Sequence, residues 1–469
     1  MQRILIGLGL AMVLAVPWAS ATNYYVVTSS QQPSPTPPWT NWGWAHTNLI
    51  EVVAAARDND TVYVTNNATY YLTNQITVSY AITVRSWGPG GILDPTNTII
   101  DANVPGAATT NRHFMLNNYG AMLAGFTLTN GWDRSYESNS ASGGSIYLNY
   151  GIVTNCIIMR NYALNPHSVA ARAGGGGIFM GVSSANSGGV WNCTISGNSA
   201  YKNGGGILIY AGGPWRIANC TLSGNSVGSQ GGGIYADASS AVVKTIISNC
   251  WVVSNYSDNY AGGIYMDYYA LCQNSFIMGN TASNVYGGGV RMGDYAVLRN
   301  CLIVNNLAKT KRGGGIEASQ SPSIQNCTIA SNVAVGEGGG FNFSNYDGYP
   351  KIENTIIWGN SGSGTASNYY INRNPSVSSV AFTNCCTSPS IVTNTATEVN
   401  TVTNDPRFVN NATDFRLQSD SPCINAGVNR AWMEGANDCY GNRRIDNFRK
   451  TVDIGAYEYL GKGTVFGFQ

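Results

Sequence analysis

Charge is scarce in this chain of 469 residues: only 10% are Asp, Glu, Lys or Arg, against about a quarter in ordinary globular proteins. The 25 basic and 24 acidic residues leave a net charge of +1. That balance excludes the basic footprint demanded by nucleic acid or by an anionic membrane surface. Histidine is scarcer still. His46, His113 and His167 are all there are, and they give no support to a histidine-based catalytic triad. Long apolar runs are missing beyond the N-terminus. There, Arg3, an apolar stretch over residues 4–16 and the small residues Ala19-Ser20-Ala21 read as a secretory signal over 1–21, with a mature start near Thr22. A transmembrane helix needs about 20 apolar residues, and none follows. The expectation is a soluble, exported monomer.

What the chain does have is glycine, 56 residues of it, and 28 tyrosines. The glycines are periodic. A Gly-Gly-Gly-Ile phrase, or a close variant, places its apolar residue at Ile178, Ile207, Ile234, Ile264, Val290, Ile316 and Phe341, at steps of 25 to 30 residues, with a weaker copy at Ile146. Each copy is followed by a phrase of the form Asn-Cys-x-Ile-x-x-Asn. Its first Asn falls at Asn155, Asn192, Asn219, Asn249, Asn274, Asn300, Asn326 and Asn354. Its second falls at Asn161, Asn198, Asn225, Asn255, Asn280, Asn306, Asn332 and Asn360.

The runs between these turn residues are too short for helices and rich in strand formers, so each period holds two or three short strands. One period cannot bury its apolar face alone. Stacking periods roughly 4.8 Å apart gives every strand a parallel neighbour and builds one interior, a β-solenoid. Asn suits its turns, because it tolerates left-handed backbone and its amide can bond the same amide one coil away. Looser strands at 61–64, 76–78, 82–85, 98–101, 113–116 and 121–129 add two or three earlier coils. Only residues 48–57 read as helix, capped by Thr47, placed to cover the open end of the coil. The organisation is then a signal (1–21), a lead-in segment and cap (22–60), the solenoid (61–360) and a loop-rich C-terminal segment (361–469) that continues or caps it.

Cys156, Cys193, Cys220, Cys250, Cys301 and Cys327 share one repeat position, replaced by Ser275 and Thr355 in two coils. That pattern reads as an interior stack of small residues. Cys423 and Cys439 lie outside the repeat in an exported chain, and a disulfide between them is expected.

The paired glycine and asparagine phrases resemble bacterial right-handed parallel β-helix proteins. The C-terminal runs Asp405-Pro406-Arg407-Phe408-Val409, Ser421-Pro422-Cys423-Ile424-Asn425-Ala426-Gly427, Gly441-Asn442-Arg443-Arg444 and Val452-Asp453-Ile454-Gly455-Ala456-Tyr457-Glu458 resemble the closing segment of choice-of-anchor Q proteins. The resemblance implies an all-β, single-stranded right-handed parallel β-helix with a short N-terminal capping helix, and a bacterial protein that is secreted or displayed at the cell surface.

The wider architecture resembles pectate lyases and polygalacturonases, which act on polysaccharides, although the Asp-Asp and Arg-Ile-Lys phrases of the hydrolases are missing here. The residue after each buried Ile faces outward: Tyr147, Phe179, Leu208, Tyr235, Tyr265, Arg291, Glu317 and Asn342 in successive coils. Two residues on come Asp237 and Asp267, with Asp294 one place further in the next coil. Three readings follow. In the first, Tyr235, Tyr265 and Glu317 hold an extracellular glycan or cell-surface partner without catalysis. In the second, Asp237, Asp267 and Asp294 share a Ca2+ and Arg291 acts on a uronate as a polysaccharide lyase. In the third, the repeat is purely structural or adhesive and these side chains only solvate it.

Overall fold

The computed structural model describes residues 20–29, 37–103, 111–133, 142–164, 173–181, 188–210, 213–238, 244–344, 348–363, 367–371, 380–388, 396–445 and 450–461. The expected signal at 1–21 therefore lies almost wholly outside the described residues.

The coil that starts at Ile207 shows how sequence becomes structure. Ile207–Ile209 contributes to sheet 1, Arg216–Ala218 to sheet 2, Thr221–Ser223 to sheet 3 and Ser226–Val227 to sheet 4. The chain then passes Gly231, Gly232 and Gly233 and re-enters sheet 1 at Ile234–Asp237. The central coils thus carry four strands rather than two or three, since the pair of residues after the second Asn also forms a ladder. Among the described residues repetition gives four parallel sheets of 11, 14, 12 and 7 strands, in the order of numbering used here. Equivalent residues stack in register: Ile195, Leu222, Val252, Ile277, Ile303, Ile329 and Ile357 form one interior column on sheet 3. One apolar cluster runs unbroken from Val26 to Cys385.

The two asparagine columns divide the duties foreseen for them. The first Asn of each phrase sits at the outer corner between sheets 2 and 3 with φ of 48 to 55° in all eight copies, a left-handed backbone that Asn tolerates at little cost. The second Asn is buried. Asn225 donates from its backbone N–H and its Nδ2 to Oδ1 of Asn255 at 3.0 and 2.9 Å, and the same Nδ2 donates to Ile195 O one coil back at 2.9 Å. Each interior amide therefore ties three coils together and leaves no buried polar atom idle. The glycine phrases answer to crowding. A Cβ on Gly232 would lie 2.3 Å from Gly262 O and 2.5 Å from Tyr256 O, and Gly231 before it has φ of +69°.

Helix α1 (Leu49–Ala55) buries Leu49, Val52 and Val53 against the first coils. Its cap is Asn48, not Thr47, because the Asn48 side chain accepts from the Ile50 and Glu51 amides. His46 accepts from Asn48 N at 2.8 Å and so orients the cap. His113 is buried between Ser145 Oγ and Thr129 O, each at 3.0 Å, and burial pushes its imidazole down to about 4. Both act as structural groups.

The solenoid does not stop at 360. Tyr369–Ile371, Val380–Thr383, Cys386–Thr387 and Ala396–Val399 extend the sheets in register. From about residue 405 the chain instead folds back along the outer face of sheet 3, where Phe408, Phe415, Leu417, Cys423, Ile454 and Ala456 join Phe276, Leu302, Val304 and Ile356 in a second apolar cluster. Arg444, fully buried, anchors this flap. It pairs with Glu458 at 2.7 Å and donates to Gly455 O at 2.9 Å. Burial pushes the Glu458 carboxyl up while Arg444 draws it back.

The cysteine column is an interior stack, buried throughout. Where Ser275 replaces Cys, its hydroxyl accepts from Cys250 N at 3.1 Å. The expected disulfide between Cys423 and Cys439 is not formed, and all described cysteines are free thiols. Cys439 donates to Asn300 O on the solenoid, whereas Cys423 lies against Cys386 in the flap's core. The two thiols are turned to different neighbours.

Candidate functional site

Register brings Tyr235, Tyr265, Arg291, Glu317 and Asn342 into a single outer column on sheet 1. The first two rings stack on one another, 4.8 Å apart and 13° from parallel. Each covers a face of the other, so sideways they offer edges and hydroxyls more than an open platform. Burial pushes both phenols up, that of Tyr265 to about 12. The Arg291 guanidinium lies 6.0 Å from the Tyr265 ring centroid, donates to Ser319 Oγ at 2.8 Å, and donates to Met292 O.

Glu317 departs from expectation. Facing the outer side does not expose it: it is 1% accessible, and its carboxylate accepts from Asn342 Nδ2 and Ser344 Oγ. Burial pushes its carboxyl up to about 7 against the pull of Arg291. In this arrangement Glu317 braces the wall beside Arg291 and is not presented to a ligand. Ser319, Asn342 and Ser344, the partners that hold the pair, were not singled out as site residues from sequence.

Asp237 and Asp267 are register neighbours. Burial, the larger effect, and their mutual repulsion raise the Asp237 carboxyl, and burial likewise raises that of Asp267. Asp267 accepts from Tyr268 N at 3.1 Å and from the backbone N–H of Asp294. Asp237 Oδ1 is buried with no hydrogen-bond partner among the described residues. Asp294 thus meets the pair through its backbone, and among the described residues no three His, Cys, Asp or Glu side chains converge as a metal-binding group.

Beside the acid pair stands a tyrosine rim that the sequence reading passed over. Tyr269 and Tyr295 stack 5.0 Å apart and 5° from parallel. Tyr268 and Tyr295 are 44% and 48% exposed, with φ of 45° and 54°. Bulky residues rarely adopt left-handed backbone. The signal was present as Asp267-Tyr268-Tyr269-Ala270-Leu271 followed by Asp294-Tyr295-Ala296-Val297, the same phrase shortened by one Tyr in the next coil.

Residues 205–364 match the family described as right handed beta helix region. The solenoid is a right-handed parallel β-helix. No curated protein matches the chain by sequence. Solved structures similar to this β-helix include the pectate lyase Pel9A, at 14% identity and a TM-score of 0.41 over 94% of this chain and 97% of that one. A mannuronic acid specific polysaccharide family 6 lyase from human gut microbiota gives 9% and 0.31 over 74% and 86%. The GH136 lacto-N-biosidase from Eubacterium ramulus gives 10% and 0.30 over 81% and 68%. Among the described residues, no helix of the β-helix protein is long and apolar enough to cross a membrane.

Proposed function

We propose that this protein binds an extracellular glycan along the outer face of sheet 1, with the tyrosine rim as its main contact. The rim carries the reading. Holding bulky side chains in left-handed backbone costs of order 1–3 kcal/mol per residue, and Tyr268 and Tyr295 do so at the same corner of adjacent coils while each stays nearly half exposed. Flat rings with a polar hydroxyl suit the apolar face and hydroxyl edge of a sugar. Arg291, pre-set by Ser319, supplies a donor fork for hydroxyls or a carboxylate. Extracellular placement rests on the signal read in residues 1–21.

The test is binding of the full chain to an immobilised glycan panel, with calcium and with calcium chelated. At least one glycan is expected to bind under both conditions, and Tyr295→Ala and Arg291→Ala are each expected to weaken it about tenfold, the loss of one good contact. Binding indifferent to both substitutions would remove sheet 1 as the site.

One observation favours a second, catalytic reading. Asp237, whose buried Oδ1 has no hydrogen-bond partner among the described residues, is in register with Asp267, and two carboxylates so placed fit one side of a Ca2+ shell, which takes six to eight oxygens. Asp237 and Asp267 would hold the ion, and bound there it would neutralise a uronate carboxylate. Arg291 would orient that carboxylate, since its hydrogen bonds to Met292 O and Ser319 Oγ are those of a charged donor and not of a proton acceptor. Calcium-dependent release of unsaturated uronate from a uronate polymer, abolished in Asp237→Asn, would establish this reading. Equal calcium affinity in the wild type and in Asp237→Asn would dismiss it.

A further inference from the structure

A second aromatic cleft lies well away from sheet 1, where the C-terminal flap ends on the outer face of sheet 3. It has a volume of about 310 Å3, and Trp251, Phe276, Tyr440, Asn305, Thr413 and Asp414 are among its walls. Trp251 and Phe276 stack 4.2 Å apart at 15°, and Tyr440 meets Phe276 edge-on at 6.2 Å. Phe276 has a packing reason to be aromatic, since the flap buries it. Trp251 is not covered by the flap: one coil before the flap begins, it is 46% exposed, with one side on Phe276 and the other on the exposed Thr221. Tyr440, reaching in from the flap, is 62% exposed.

We infer that this cleft is a binding site for one uncharged pyranose unit of a glycan. Its charge does not favour an acidic sugar. Among the described residues Asp414 is the one charged residue in the wall, and Arg416, whose guanidinium lies 5.9 Å from the Tyr440 ring, already pairs with it at 2.8 and 2.5 Å, so an incoming carboxylate would find no free counter-charge there. Its backbone selects against a peptide strand, because Trp251–Val253 is paired on both sides and offers no free edge for strand addition. Its volume lies at the lower end of small-molecule sites, roughly 300–1,000 Å3, room for a single ring and not for a run of them. What is left to an occupant is the two exposed rings of Trp251 and Tyr440 for stacking and the Asn305 amide and Thr413 hydroxyl for orientation.

Isothermal titration of the full chain with neutral β-linked gluco-, manno- and galacto-oligosaccharides, and with an oligogalacturonate, tests this. At least one neutral oligosaccharide is expected to bind more tightly than the uronate. Trp251→Ala and Tyr440→Ala should each weaken it about tenfold, while Trp251→Tyr retains most of the affinity. Both alanine variants remove side chains that are largely exposed, so folding should survive them, and circular dichroism confirms it. Absence of any neutral binding at millimolar concentration overturns the assignment, as does neutral binding that both alanine variants leave unchanged. Binding that depends on Arg291 but on neither Trp251 nor Tyr440 also overturns it, and leaves the reading of sheet 1 standing.

Discussion

Sheet 3 shows the same repeat position serving two ends in one molecule. In the coils of residues 192–227 its outer face carries Thr194, Ser196, Thr221 and Ser223, small and polar, and the corner residues Asn192 and Asn219 are exposed and bond to one another at 3.1 Å. Further along, the same places hold Leu302, Val304, Ala330 and Ile356, all buried beneath the flap. There the corner asparagines gain partners: Asn300 donates to Asn437 O, Asn326 to Asp453 O and Asn384 to Ala426 O, while Asn354 both donates to Val428 O and accepts from Val428 N. Asn300 and Asn354 still donate to Asn274 and Asn326 one coil back. The backbone of the column is unchanged, with φ near 50° at both ends. A corner needed for turning has become a row of docking groups. Thr328, a polar residue on the covered face, fits the same rule, since its Oγ1 accepts from Ala456 N at 3.0 Å.

The comparison is broken most severely at the flap's anchor. Arg444→Ala leaves the Glu458 carboxylate buried without its partner, a change that costs about 3–5 kcal/mol. The loss should be local: hydrogen exchange is expected to quicken across 405–461 and to stay slow in the strands of 194–223. Uniform quickening would mean that flap and solenoid unfold as one unit. Next in size is Leu302→Thr, which puts the bare face's residue under the flap. Loss of buried apolar volume and burial of a hydroxyl together should cost about 3 kcal/mol in a urea titration. A cost below about 1 kcal/mol would show that the flap does not seal that surface.

The solenoid was legible because its signals are local and repeated: Asn in two fixed places and glycine where no Cβ fits. The flap was harder to place. Its residues were read as a distinct C-terminal segment, but where it packs depends on contacts between residues more than 100 apart in sequence, such as Asn326 with Asp453. The polar-to-apolar switch from Thr221 to Phe276 and Leu302 was the available sign of a covered face. The candidate site was legible in its alignment and not in its exposure. Period-2 alternation puts Glu317 outside the coil, yet Asn342 and Ser344 close over its carboxylate. Cys423 and Cys439 misled for a related reason: a place outside the repeat in an exported chain suggested a pair, while each thiol packs against a different part of the solenoid.

A smaller effect separates the docking role of the corner asparagines from their turning role. Asn354→Ala and Asn219→Ala should share the penalty of placing Ala in left-handed backbone, roughly 1–2 kcal/mol. Only the first also strands the Val428 N–H and C=O. The difference between the two variants, about 2 kcal/mol by urea titration, is then the contribution of docking alone. Equal losses would mean that the amide contacts to Val428 are replaced by water at no cost.

The smallest expected change is Thr221→Leu, the reverse of Leu302→Thr. Thr221 lies between Thr194 and Trp251 in the column with nothing packed over it. Leucine there could gain a cross-strand contact with the Trp251 ring, but no buried area, so stability should move by no more than about 0.5 kcal/mol. The same substitution should matter more for a ligand, because a leucine against Trp251 covers the ring face that the bare coils leave open. Calorimetry with a neutral oligosaccharide should therefore show weakened binding at unchanged stability. A gain in stability of more than about 1 kcal/mol would mean that this stretch of sheet 3 is covered in solution, and the contrast between bare and covered coils would have to be redrawn one coil earlier.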